Sequence, residues 1–369
     1  MNSLKISTGG KLRVISKIKV NKDNISQVYT PGVAEVVKAV TKNKKSINKY
    51  TWRNNLVAVI SDGSAVLGLG NQGAEGALPV MEAKSVLFKE LGGVNAIPIV
   101  LNTQDKEEII KTIKIIAPSF GGINLEDISA PRCFEIEEAL RQELDIPVFH
   151  DDQHGAAIAI LAGLINATKV AGKNLKKAKI VVSGAGAAGV ATIRLLHAYG
   201  CRGLALFDSR GGICTTCVNP TKEKEEIARM NSLNNPSTTL REALRGADVF
   251  IGLSVGNLLQ STDIKTMGNK PIVFALANPI PEISPEEAKQ GGAFIIGTGR
   301  SDFPNQINNA LVFPGVFKGL LEKKKKEVTM TMEIKIAKAI ADLIKKPTVN
   351  KLLPTVTNKQ VPKAVAKAI

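Results

Sequence analysis

The stretch KIVVSGAGAAGVATIRLLHAYG, residues 179–200, constrains this chain more than any other. A β-rich run, then Gly184-x-Gly186-x-x-Gly189, then a helical pattern requires a strand that turns tightly into a helix. The first glycine permits the turn, the second lets a pyrophosphate approach the backbone, and the third lets helix lie close on strand. The helix N-terminus adds amide donors and the positive end of its dipole. One strand later LALFD ends in Asp208, nineteen positions after Gly189, where an acid that binds a ribose is expected. The prediction is a dinucleotide site built from Gly184, Gly186, Ala187, Ala188 and Gly189 with Asp208. The choice of cofactor stays open: Asp208 suits the free ribose hydroxyls of NAD, and Arg210 suits the 2′-phosphate of NADP.

From about Leu56 the chain alternates short apolar runs with helical patterns, as parallel sheets covered by helices require. LVAVIS and AVLGLG flank Asp62-Gly63, a dipeptide that favours a tight hairpin turn. A helix is expected from about Leu78 to Leu91, then strand AIPIVL, helix DKEEIIKTIKIIA, strand GGINL, a helix from about Pro131 to Leu144, and strand IPVF. Residues 154–170 read as a long apolar helix, and KIVVSG, LALFDS, DVFIGLS, PIVFALA and AFIIG form a doubly wound series. The 369 residues exceed one core, since domains average about 150 residues. The expected fold is α/β: an N-terminal α/β domain over residues 1–153, a Rossmann-like domain over 154–320, and a helical segment over 321–369.

HDDQH, residues 150–154, resembles the zinc-protease motif H-E-x-x-H, whose histidines share one helix face. Here Pro147-Val148-Phe149 reads as the end of a strand and Gly155 as the start of the next helix, so the motif occupies a turn. No convincing third zinc ligand accompanies it. The carboxylates fit better: Asp151-Asp152 and Glu126-Asp127 both follow predicted strands, where open α/β sheets place ligands. Their oxygens suit a hard cation such as Mg²⁺ or Mn²⁺. On spacing alone the alternative stays equally open, with Asp152 capping a helix and Glu126-Asp127 lying on the surface.

The formal charge of +16, from Lys+Arg 49 against Asp+Glu 33, favours anionic partners of any kind. The lysines are dispersed and aromatic residues make up 4%, too few for base-stacking platforms, so no nucleic-acid partner is expected. The longest apolar stretch, Gly155 to Thr168, is shorter than the roughly 18 residues of a membrane span, and none is expected. Four cysteines in so long a chain form no disulfide framework, which suits a reducing, cytoplasmic setting; Cys214-Thr-Thr-Cys217 has redox spacing but reads as coincidental.

YTPGVAEV, VAVISDGSAVLGLGNQG, LPVMEAKSVLFKE, FGGINLEDISAPRCFEIEE, IPVFHDDQHG, VSGAGAAG, FALANPIPEI and GTGRSDFPNQINNALVFPG occur in that order between about Lys11 and about Leu320. Together they resemble the small-subunit bacterial type of malic enzyme. The resemblance implies that Tyr29 and Lys84 are catalytic and that Glu126, Asp127 and Asp152 bind Mg²⁺ or Mn²⁺. It further implies that Asp151 neighbours the lysine and that Asn278, Asn308 and Asn309 lie near substrate and nicotinamide. It implies a homodimer and the metal-dependent oxidative decarboxylation of malate with NAD or NADP. Lys84, its pKa depressed by the cation and by burial, would take the hydroxyl proton, and Tyr29 would protonate the enol. Three departures stand out: Ala83 before the lysine, Ala156 after HDDQHG, and the unfamiliar CTTC. The alternative is a metal-independent amino-acid dehydrogenase of similar layout.

Overall fold

LVAVIS has no polar face, so it suits a strand covered on both sides, and Leu56–Ser61 (β1) is buried at every position. The computed structural model describes residues 3–215, 221–232 and 238–369. Asn95–Val100 (β2), Gly122–Leu125 (β3) and Val148–His150 (β4) complete a first sheet in the order β2-β1-β3-β4, with every pair parallel. Val33–Lys42 (α1) precedes this sheet, and Gly73–Leu87 (α2), Lys106–Ile116 (α3) and Arg132–Glu143 (α4) connect its strands. Asp105 caps α3 by accepting from the Glu108 N–H, which satisfies one of the donors a helix start leaves free. The order places β3 beside β1 although β2 comes between them in sequence. Ligands of open α/β sheets gather at such a reversal.

The expected hairpin at Asp62-Gly63 does not form. β1 has only parallel partners, and Val66–Gly68 is a single 3₁₀ turn in a loop. Asp62 is committed elsewhere: Oδ1 accepts from the Ser64 N–H and hydroxyl, and Oδ2 pairs with Arg132 at 2.9 Å. The loop is also stitched to the end of β3, with Ala65 N–H donating to the Asp127 carbonyl and Ser129 N–H to Ser64 Oγ.

Asp151–Ala171 (α5) follows β4 directly, starting three residues before the sequence pattern indicated, because the two aspartates belong to its first turn. By length and composition this helix could cross a membrane, but it is a buried core helix packed against later elements. A second sheet runs β10-β9-β8-β5-β6-β7, from Lys179–Ser183 (β5), Gly203–Asp208 (β6), Gly211–Gly212 (β7), Val249–Gly252 (β8), Ile272–Ala275 (β9) and Ile295–Thr298 (β10). Only the β6–β7 pair is antiparallel. Ala187–Tyr199 (α6) leaves β5, and Lys222–Met230 (α7) flanks α6. The reversal of strand order falls at β5, which is where the glycine fingerprint sits.

Phe313–Lys323 (α8), Met330–Ala341 (α9) and Gln360–Ala368 (α10) close the chain. They are packed on the body: Asn166 of α5 donates to the carbonyls of Ala341 and Leu352, and Val361 and Val365 of α10 are buried. The opposite end differs. No residue of α1 is buried, and Val14 (83%), Ile15 (70%), Tyr29 (69%) and Val37 (58%) face outward.

Candidate active site

Glu126 and Asp127 leave the carboxyl end of β3, and Asp152 lies in the first turn of α5 beyond β4. An oxygen of each lies within 4.8 Å of an oxygen of the others. Asp127 adopts a left-handed conformation at φ 53°, which Asp tolerates better than most residues, and its N–H donates to Asp152 Oδ2 at 2.8 Å. Asp127 Oδ2 is buried without a hydrogen-bond partner. Burial and then Asp152 push Asp127 up to about 7 and hold Glu126 well above its ordinary value. A cation among crowded carboxylates raised in this way relieves their repulsion. A set made only of oxygens fits a hard divalent ion.

Lys84 of α2 is buried against this group and donates to Glu126 Oε1 and Asp151 Oδ2. Its Nζ stands 4.5 Å from the Phe313 ring centroid. Gly155 makes room for the arrangement, because a Cβ there would meet Asp151 Oδ1 at 1.9 Å. With no cation among the acids, burial pulls the Lys84 pKa down, but Asp151, Glu126 and Asp152 outweigh it and raise the value above that of an ordinary lysine; the depression expected beside a bound cation concerns the metal-loaded site. These acids keep a proton on Lys84 until something else satisfies them.

The histidines of HDDQH are not a metal pair. His154 lies between two carboxylates, Nε2 3.0 Å from Glu137 and Nδ1 2.8 Å from Glu333. Burial lowers its pKa, yet the two acids raise it to about 10. The two acids favour its protonated form, whereas a histidine must be neutral to bind a metal. His150 is buried at the end of β4, with its pKa lowered by burial.

A cavity of about 610 Å³ joins the two sheets' carboxyl edges. Lys84, Glu126, Asp127, Asp152, Gly186, Ala187, Ala188, Asn278, Asn308 and Asn309 all line it, as do the departures Ala83 and Ala156. The glycines behave as their spacing predicted. Gly184 has φ +108° and a Cβ there would strike the Leu253 carbonyl at 2.2 Å; one at Gly189 would strike the Gly184 carbonyl at 1.7 Å. At Gly186 nothing lies within 4 Å, which leaves open the space a pyrophosphate needs. Gly186→Val should therefore weaken NAD(P) binding at least tenfold with an unchanged Tm, measured by fluorescence titration and thermal melting; equal affinity would remove the nucleotide from this turn.

Asp208 ends β6 as expected, but its partner was missed: Lys224 of α7 bonds Oδ2 at 2.5 Å, whereas Arg210 contributes its backbone N–H to Oδ1 and points its side chain outward. Phe313 was missed as well, since nothing local marks one phenylalanine in a helix as the lid over a lysine. Tyr29 is not brought in: it is exposed and does not line the cavity. Cys214 is buried away from the cavity, and Cys217 lies outside the described residues.

A parallel sheet and a largely parallel one share a cavity, with a dinucleotide turn on one side and a carboxylate cluster that could hold a cation on the other, the layout of a two-domain nucleotide-dependent oxidoreductase. Residues 10–141 match the malic enzyme N-terminal domain and residues 153–369 the malic enzyme NAD binding domain. The chain belongs to the malic enzyme family. It is 48% identical over 364 residues to the bifunctional malic/malolactic enzyme of Bacillus subtilis, spanning 98% of this chain and 89% of that protein. It is 49% identical over 364 residues to the NAD-dependent malic enzyme of Geobacillus stearothermophilus, spanning 98% of this chain and 76% of that one. The crystal structure of an NAD-dependent malic enzyme from Thermotoga maritima matches with a TM-score of 0.95 at 45% identity, covering 100% of this chain and 98% of that chain.

Proposed function

We propose that this chain oxidises (S)-malate with NAD or NADP and decarboxylates the product to pyruvate and CO₂. The observation that carries the proposal is Lys84 clamped between Glu126 and Asp151 at the edge of a three-carboxylate set, in the cavity that also holds the dinucleotide turn. Glu126, Asp127 and Asp152 would hold a divalent ion, which would supply Lewis acidity to the substrate's hydroxyl and carbonyl oxygens, and the turn at Gly184, Gly186 and Gly189 would hold the dinucleotide that serves as hydride acceptor for C2. Lys84, relieved of acids that are then engaged elsewhere, accepts the proton of the C2 hydroxyl. Asn278 and Asn309 offer amide donors to the substrate carboxylates, with Asn308 supporting them by capping the Ala310 N–H. Phe313 and Leu67 give the cavity an apolar wall. Loss of CO₂ leaves an enolate; Tyr29 protonates its C3 to give pyruvate, and the proton that Lys84 took from the hydroxyl replaces, by way of solvent, the one Tyr29 gave up. A metal-independent amino-acid dehydrogenase is not favoured, because it leaves the acidic set without a task.

Initial rates with malate, testing each nucleotide with Mn²⁺ and with EDTA, address reaction, metal and cofactor together. Turnover that persists in EDTA would count against the cation site.

The position of Tyr29 supports a homodimer in which each arm completes the site of the other copy. Residues 3–50 expose an apolar face that one chain does not cover, and the edge strand β2 is only half-buried. Y29F and K84A chains, mixed so that subunits exchange, should then recover about a quarter of wild-type activity, because half the dimers are mixed and each has one intact site. A mixture as inactive as its parents would rule out sharing between copies. The low cysteine count supports a cytoplasmic setting, and the domain division near residue 153 belongs to the same proposal.

A further inference from the structure

One buried carboxylate outside the cavity holds the acidic turn from behind. Glu137 of α4 is 4% exposed and does not line the cavity. Its Oε1 accepts from the His150 backbone N–H at 3.1 Å. Its Oε2 accepts from Gln153 Nε2 at 3.0 Å and from His154 Nε2 at 3.0 Å. The three contacts fall on both sides of Asp151 and Asp152, so the backbone between them is fixed at each end. The other nitrogen of His154 reaches Glu333 in the first turn of α9, itself 3% exposed. A continuous chain of bonds therefore runs from α9 through His154 and Glu137 to the turn that carries Asp152.

We propose that Glu137 is a positioning residue for the divalent-cation site, and that the His154–Glu333 pair ties the occupancy of that site to the docking of the C-terminal segment. The inference rests on Glu126, Asp127 and Asp152 being the ligands. Asp152 is the ligand in need of support: its side chain is 31% exposed, against 5% for that of Glu126, and it comes from a different strand end. Rotating the first turn of α5 would carry Asp152 away from the Asp127 N–H and Asp151 away from Lys84 together. A buried ion pair adds little net stability compared with apolar packing, and fixing registry is its best-attested use. Partners behind metal ligands set affinity by orienting them.

Glu137→Gln keeps the shape but presents an acceptor at only one of its two terminal atoms, so the contacts at Oε1 and Oε2 cannot all survive. The test is Mn²⁺ affinity of the full chain, read as free Mn²⁺ by electron paramagnetic resonance, beside NAD affinity by fluorescence. E137Q should bind Mn²⁺ about 10–100-fold more weakly with NAD affinity unchanged, and saturating Mn²⁺ should restore kcat. E333Q should shift Mn²⁺ affinity in the same direction by less. Unchanged Mn²⁺ affinity in folded E137Q overturns the proposal, as does a parallel loss of NAD affinity, which would mark a general packing role. If E137Q does not fold, E333Q decides, and unchanged Mn²⁺ affinity there overturns it. Asp152→Asn separates the two levels: if it binds Mn²⁺ like wild type, the ligand assignment itself has failed, whereas its loss beside an unaffected E137Q sinks only the positioning role.

Discussion

Lys84→Ala is expected to lower kcat for malate oxidation by about 10²–10⁴ while leaving NAD(P) affinity intact. The ammonium sits within reach of both Glu126 and Asp151, at the wall of the cavity. No second amine or guanidinium lines that cavity among the described residues, so no neighbour can replace it. The nucleotide turn belongs to the other sheet, which is why binding should survive. The loss of a buried cation beside two acids also costs stability. The rate must therefore be measured in saturating Mn²⁺, with folding checked by circular dichroism. Wild-type turnover in the folded variant would refute the role of the lysine.

Asp152→Asn should abolish metal-dependent turnover, bringing the rate down to that of wild type in EDTA. The substitution has two opposite effects on stability, and their signs identify the role. Without metal it relieves repulsion, because Asp152 is the first neighbouring charge that raises Asp127 and Glu126. The metal-free Tm should hold or rise. With Mn²⁺ at a hundred times its Kd, wild type gains about 2.7 kcal/mol of stability by mass action, and the variant should lose most of that gain. A structural carboxylate would behave otherwise, lowering the metal-free Tm and keeping the shift. Melting curves with and without Mn²⁺ distinguish the two.

Much of this was legible in the amino-acid order. Gly184 and Gly189 make the tight turn and the close approach their spacing assigns, and all but one of the expected strands lie within a few residues of their runs. The exception, AVLGLG, failed for a local reason with a distant cause. Asp62 could have made a hairpin turn, but Arg132 and Ser64 claim its carboxylate, and β2 and β3 occupy both edges of β1. The start of α5 is poorly marked in the sequence because Asp151, Asp152 and Gln153 break the apolar pattern, although acids in a first turn are favoured by the helix dipole.

The sequence alone determined what depends on neighbours in the chain: strand and helix periods, the phosphate-binding turn, and acids placed just after strands. Tertiary structure decided what depends on strand order. Only because β3 lies between β1 and β4 do Glu126 and Asp127 meet Asp152, and only the packing of α2 sets Lys84 against them instead of in solvent. The same holds for Lys224 on Asp208, Glu137 behind the acidic turn, and Tyr29 standing apart. Backbone preference acts over a few residues, whereas charge and burial act through space, so chemistry shared between distant segments appears only once the chain has folded.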